Sequence, residues 1–132
     1  MDLIIKNWFG MSGISLFVDT NILIDLSEGK NKISNYLDGN TIHISVITEI
    51  ELLGWPKITQ AHKDFFSKLI KDCHVTELSQ HVKDLTIELK QKHKIKLPDA
   101  VIAASALFLD IPLLTRDVSF EKIKSLNLLI IE

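Results

Sequence analysis

The sequence predicts an α/β fold, a parallel sheet of about five strands with helices on both faces. Two observations lead there. Short apolar runs alternate with helical patterns along the chain, the order of βαβ units rather than of hairpins. The 132 residues are 46% hydrophobic, enough for one domain with a substantial core. No repeat, linker or low-complexity stretch divides them.

Residues 1–14 stand apart from the rest and are read as an N-terminal extension of unknown role, with Met11 as an alternative start. Residues 15–132 form the domain. Ser15–Val18 is the first strand, and its unbroken Leu16, Phe17 and Val18 suit burial on both faces. Short helices are expected over Asn21–Ser27 and Lys30–Leu37, then a strand over Thr41–Ile44 and a helix over Ser45–Leu53. Thr59–Asp72 places Ala61, Phe65, Phe66, Leu69 and Ile70 on one helical stripe. A third strand, His74–Leu78, precedes the helix Gln80–His93, with Val82, Leu85 and Leu89 at i, i+3 and i+7. Pro98–Leu109 opens with proline at the first helical position and is apolar almost all round, so it is expected to be buried. Pro112–Thr115, a short helix over Phe120–Ser125 and the strand Leu128–Ile131 complete the domain.

Composition narrows the function. The net charge is −2, from 15 Lys+Arg against 17 Asp+Glu, which argues against a protein that coats nucleic acid but leaves room for an acidic site with a basic rim. The single cysteine, Cys73, excludes an intrachain disulfide. With no signal-peptide layout at the N-terminus, a cytoplasmic location is expected. The apolar runs fall far short of the ~18 residues that span a bilayer, so no membrane association is expected.

In parallel α/β sheets, ligands bind beyond the carboxyl ends of the strands, where strand order reverses. Acids just after strands are therefore the candidates. Asp19 follows the first strand in FVDTNILID and Asp117 follows the fourth in LLTRDVSFEKI. Each could equally be a helix N-cap. Asp99, in KLPDAVIAASAL, falls in the first turn of the apolar helix, where the macrodipole favours an acid. A carboxylate on a buried helix also needs a partner or a metal. Glu49 and Glu51 follow the second strand in SVITEIELLGW; two residues apart, they diverge by about 200° on a helix and cannot share one site. The carboxylates together, without a cysteine or histidine cluster, suit Mg²⁺ or Mn²⁺ rather than zinc. The five histidines show no ligand spacing.

The segments FVDTNILIDL, ISVITEIELLG, LPDAVIAASAL and PLLTRDVSF, in that order, resemble the PIN-domain family, in particular the VapC-like toxins of toxin–antitoxin pairs. The resemblance runs from about Leu16 to Glu132. It implies a three-layer α/β/α sandwich and a Mg²⁺- or Mn²⁺-dependent endoribonuclease acting on single-stranded RNA. It also implies that Asp19, Glu51, Asp99 and Asp117 are the catalytic and metal-binding acids. Glu51 takes precedence over Glu49 because the family's second acid stands three residues after the threonine, here Thr48. Thr20, Asn21 and Thr115 match supporting polar positions that orient carboxylates. The sequence departs from the family at Ser119, where another acidic or polar side chain is common, and this leaves one-metal catalysis open. A cognate antitoxin and a homodimer are further implied.

Lys90, Lys92, Lys94 and Lys96, with His93, form a basic run ahead of Asp99. Lys94 and Lys96 are candidates for RNA phosphates, although a solvated helix end explains such a run equally. Arg116 is a candidate for a phosphate contact or for pairing with a site carboxylate. Trp55 either stacks on a base, packs against a partner or anchors its loop. Two other readings stay open: a PIN nuclease in RNA processing without an antitoxin, and a catalytically silent PIN binding module. A phosphoacceptor domain needs an Asp ending the third strand, which here runs into VTELSQ.

Overall fold

The computed structural model describes residues 13–132, so the N-terminal extension lies almost wholly outside the described residues. Five strands, β1 (Ser15–Val18), β2 (Thr41–Ser45), β3 (His74–Thr76), β4 (Leu113–Thr115) and β5 (Leu128–Ile130), form one parallel sheet in the order β3-β2-β1-β4-β5. The chain winds outward from β1 through β2 to β3, crosses back to β4 on the other side of β1, and finishes at β5. Strand order thus reverses between β1 and β4.

Alternation along β1 builds two cores. Leu16 and Val18 face one side, packed with Ile42, Ile44, Leu114 and helices α1 (Thr20–Ser27), α2 (Asn31–Leu37) and α4 (Gln60–Asp72). Phe17 and Leu113 face the other, against α5 (Gln80–Lys92) and α6 (Leu97–Leu109). The result is the expected α/β/α sandwich. A further helix, α3 (Val46–Leu53), contributes Leu52 to the first core and Ile47 to the edge of the second. It therefore sits across the carboxyl edge of the sheet.

Local sequence explains the helix boundaries. Ser45, Thr59 and Ser79 are N-caps whose hydroxyls accept from Ile47 N at 3.0 Å, His62 N at 3.1 Å and Val82 N at 3.3 Å. Helix α6 begins one residue earlier than the proline rule predicts, with Pro98 in its first turn, and residues 100–106 are buried as its composition requires. It ends at Asp110, which adopts the left-handed conformation at φ 55°.

Two expectations are corrected. The third strand stops at Thr76, two residues early, where Ser79 N closes a turn onto Glu77 O and offers its own cap to α5. The helix expected over 120–125 is a 3₁₀ segment over Val118–Lys122. The Asp117 side chain accepts from Ser119 N, two residues on, and that tight start sets a short 3₁₀ turn rather than an α-helix.

Phe17 is fully buried on the central strand. Phe17→Ala is expected to lower the unfolding free energy by about 3–5 kcal/mol, read from the midpoint of urea denaturation at unchanged slope.

Candidate active site

The carboxyl ends of β1 and β4 lie side by side and bring the first two site residues together. The Thr115 hydroxyl donates to Asp19 Oδ2 at 2.7 Å. Asp19 stands at the N-cap position of α1, yet its side chain makes no capping hydrogen bond, and only 4% of the residue is exposed. The capping explanation therefore does not account for Asp19. Burial pushes its carboxyl up to about 6, and the charges of Asp99 and Asp117 push the same way. The Thr115 hydroxyl and the Thr20 amide pull against them.

Helix α3 supplies Glu51. The Thr20 hydroxyl donates to Glu51 Oε1 at 2.8 Å and lies 2.9 Å from the Thr48 hydroxyl. With the Thr20 proton committed to Glu51, Thr48 is the donor in that second bond. A relay from Thr48 through Thr20 thus fixes Glu51 beside the start of α1. Glu49, on the diverging side of the same helix, does not line the cleft.

Helix α6 supplies Asp99 from its first turn. Its carboxyl is raised above the ordinary range by burial, then by the charges of Asp117 and Glu51, while Lys96 lowers it. Asp117 does act as a cap: its Oδ1 accepts from Ser119 N at 2.9 Å, and its own amide donates to Thr115 Oγ1 at 3.0 Å. Its charge still reaches both Asp19 and Asp99.

Asp19, Thr20, Asn21, Glu51, Trp55 and Asp99 line one cleft of about 230 Å³, with Asp117 just outside that lining. Asn21 makes no hydrogen bond to any of the acids among the described residues; Thr20 and Thr115 make those bonds. Trp55 is 43% exposed at the cleft mouth, its ring 5.9 Å from that of His62. Thr48 was not singled out as a supporting residue. Its signal was a hydroxyl three residues before Glu51 within an apolar run.

Arg116 is engaged elsewhere. Its Nε lies 2.6 Å from Asp25 Oδ2 and its Nη2 3.1 Å from Asp25 Oδ1, a bidentate pair that Lys30 joins at 3.1 Å. Asp25 lies outside the cleft lining, so Arg116 pairs with none of the four site acids. Lys96 stands close enough to Asp99 to act on its charge, and the carbonyl of Lys94 accepts from Lys122 Nζ at 2.7 Å.

Among the described residues no three His, Cys, Asp or Glu side chains close into a cage around a metal ion, and no ion pair reaches Asp19. The acids form an open fan of mutually repelling charge. That suits a hard divalent cation such as Mg²⁺ or Mn²⁺, which takes carboxylate and water oxygens as ligands. It does not suit a closed tetrahedral zinc site.

Two predictions follow from these charges. The folded-state carboxyl of Asp19, at about 6, lies above its ordinary 3.8. Between those values the folded state binds more protons than the unfolded chain, so stability falls as pH rises from about 4 to 6 and levels off above. Asp19→Asn removes this cost, about 3 kcal/mol, and is expected to raise the thermal midpoint at pH 7.5 by several degrees, with little gain at pH 4. Arg116→Ala leaves the buried Asp25 with Lys30 alone. Because Arg116 is 42% exposed, the expected loss is about 2 kcal/mol, below that of a fully buried pair. The double variant Asp25→Asn/Arg116→Ala should lose less than the sum of the two single variants in chemical denaturation.

Comparison with known proteins agrees with this architecture. Residues 16–126 match the PIN domain family. A chain of a toxin–antitoxin complex from Klebsiella pneumoniae superimposes with a TM-score of 0.74 at 30% identity, covering 84% of this chain and 94% of that one. Chains of VapBC2 from Rickettsia felis and of DNA-bound VapBC from Salmonella typhimurium share the fold. They superimpose with TM-scores of 0.74 and 0.76 at 24% and 21% identity, covering 88% and 89% of this chain and 98% of each of those. No curated protein sequence matches the chain. A family match over most of the chain and a relative at 30% identity agree: the chain belongs to the PIN-domain family.

Proposed function

We propose that this protein is a metal-dependent endoribonuclease, the toxin of a toxin–antitoxin pair. The observation that carries the nuclease reading is the desolvated Asp19 carboxylate. It is held near other acids with no ion pair among the described residues, an arrangement that a divalent cation would relieve. Asp19, Asp99, Asp117 and Glu51 are the proposed ligands, with Mg²⁺ or Mn²⁺ as the ion. A divalent ion bound there supplies positive charge against the phosphate and makes water a stronger nucleophile at neutral pH.

The chain's own residues set the geometry. Thr115 holds Asp19 at Oδ2 by a hydrogen bond of 2.7 Å, and Asp19 lines the cleft. Thr20 fixes Glu51 in the same way. The carboxyl of Asp19, pushed up to about 6, and that of Asp99, raised by burial and by the charges of Asp117 and Glu51, both favour a counter-charge in the cleft. Trp55 at the mouth offers an exposed ring on which a base can stack, and stacking favours unpaired strands. Lys96, and Lys94 beside it, are placed to meet phosphates at the approach to Asp99; Arg116 is already taken by Asp25.

Similarity to a chain from a toxin–antitoxin complex supports a cognate antitoxin as partner, and a homodimer in the cytoplasm is the proposed form. Among the described residues no helix is long and apolar enough to cross a membrane.

Purified protein is expected to cut single-stranded RNA with Mn²⁺ or Mg²⁺ and to stop with EDTA. Asp99→Asn should lower kcat at least a hundredfold. Glu51→Gln should be similarly impaired, whereas Glu49→Gln should keep near-full activity. Full cleavage in EDTA, or by Asp99→Asn, would sink the mechanism. A small neighbouring reading frame whose product restores growth on co-expression would separate the toxin from a processing nuclease.

A further inference from the structure

A second depression, about 400 Å³, lies between α5 and the segment that follows β4. Its floor is apolar, made by Leu85 and Leu89 of α5 with Leu107 of α6. Its rim is basic: Lys92 and His93 at the end of α5 face Lys122 and Lys124 across it. The acid in the lining, Glu88, is paired with Lys92 at 2.7 Å, which leaves the other cations of the rim uncompensated by it. An apolar floor beneath a cationic rim matches a nucleotide, whose base needs a surface to lie on and whose phosphate needs positive charge.

The chain on both sides of the depression connects to residues that carry or act on the site acids. One wall is the 3₁₀ segment, which starts at the cap Asp117 and reaches Lys122 about 10 Å further on at the 3₁₀ rise per residue. The other includes His93, from which the chain runs on to Lys96, whose charge acts on Asp99. Lys122 Nζ donates to Lys94 O at 2.7 Å and so ties the two walls together. Both sides of the depression are thus tied by chain to Asp117 and to the surroundings of Asp99.

We propose that this depression is a subsite for a nucleotide of single-stranded RNA flanking the cut, with Lys122 and Lys124 contacting its phosphates. The proposal rests on the ribonuclease reading and extends it to a second site. Binding there lowers KM for longer substrates and leaves the chemical step untouched.

The test uses Lys122→Glu/Lys124→Glu in the full chain, both positions being exposed. In the Asp99→Asn background with Mn²⁺, fluorescence anisotropy of a labelled single-stranded oligoribonucleotide should show about tenfold weaker binding. The salt slope should fall by about 1.4, for two lost phosphate contacts on a single strand. In the otherwise unaltered protein, KM should rise about tenfold at constant kcat, and Lys122→Arg/Lys124→Arg should restore it. Lengthening the substrate beyond a few nucleotides should lower KM for the unaltered protein and not for the Glu variant. Cleavage with unchanged KM and salt slope in the Glu variant overturns the subsite and leaves the nuclease reading intact; the basic rim would then suit an acidic protein segment instead. Oligonucleotide binding that depends on the two lysines, in a protein that cuts no RNA, supports the subsite and removes the nuclease reading.

Discussion

The hydrogen bond from Thr115 to Asp19 sits where the sheet changes direction, and most of the site is arranged around it. Strand order reverses between β1 and β4, so no helix connection covers their carboxyl ends. Left to itself, that crevice would expose the buried ends of both strands to water. The Thr115 hydroxyl joins them, with its oxygen accepting from the Asp117 amide while its proton goes to Asp19. One side chain thereby sets the position of two acids contributed from opposite ends of the sequence.

The protein treats its acids in two contrasting ways. Asp25 is as buried as Asp19 but is met by Arg116 in a bidentate pair and by Lys30. Such an acid is satisfied, and its role is to fasten α1 to the segment after β4. Asp19 receives one hydroxyl and the like charges of Asp99 and Asp117. A cation was available within one turn of chain, since Arg116 directly follows Thr115, and the fold directs it away from the cleft. Repulsion left in place costs stability, and sites that bind ligands are where such a cost is expected.

Much of this was legible from sequence because the signals are local. Strands announced by short apolar runs, and helices announced by apolar stripes and hydroxyl caps, fall within a residue or two of their expected bounds in most cases. Asp19 and Asp117 were visible as acids after strands, and Asp99 as an acid in the first turn of an apolar helix. What could not be read depends on distant partners. Asp25 lies in ILIDL like any polar residue on an amphipathic helix, and its partner stands 91 positions away. For the same reason Arg116 reads in sequence as a partner for a phosphate or a site carboxylate, not for Asp25. Periodicity left Glu49 and Glu51 equivalent; the count from Thr48 in the resemblance separated them, and the position of α3 across the sheet edge puts Glu51, not Glu49, on the cleft. The last helix was misplaced because a side-chain cap two residues away, rather than any apolar stripe, determines where it starts.

The small net charge conceals how unevenly charge is distributed. Averaged over the chain, 15 cations and 17 acids suggest little affinity for a polyanion. Yet Lys92, Lys122 and Lys124 come from two separated segments and line one depression, while Lys96 acts on the charge of Asp99. Charges spaced within about a Debye length act together, so an approaching polyanion meets a local field rather than the sum over the molecule. On the proposed ribonuclease reading, an acidic cleft alone would repel the phosphates of its substrate. The proposed basic groove would supply the opposing attraction on the approach, and the bond between Lys122 and Lys94 joins its two sides.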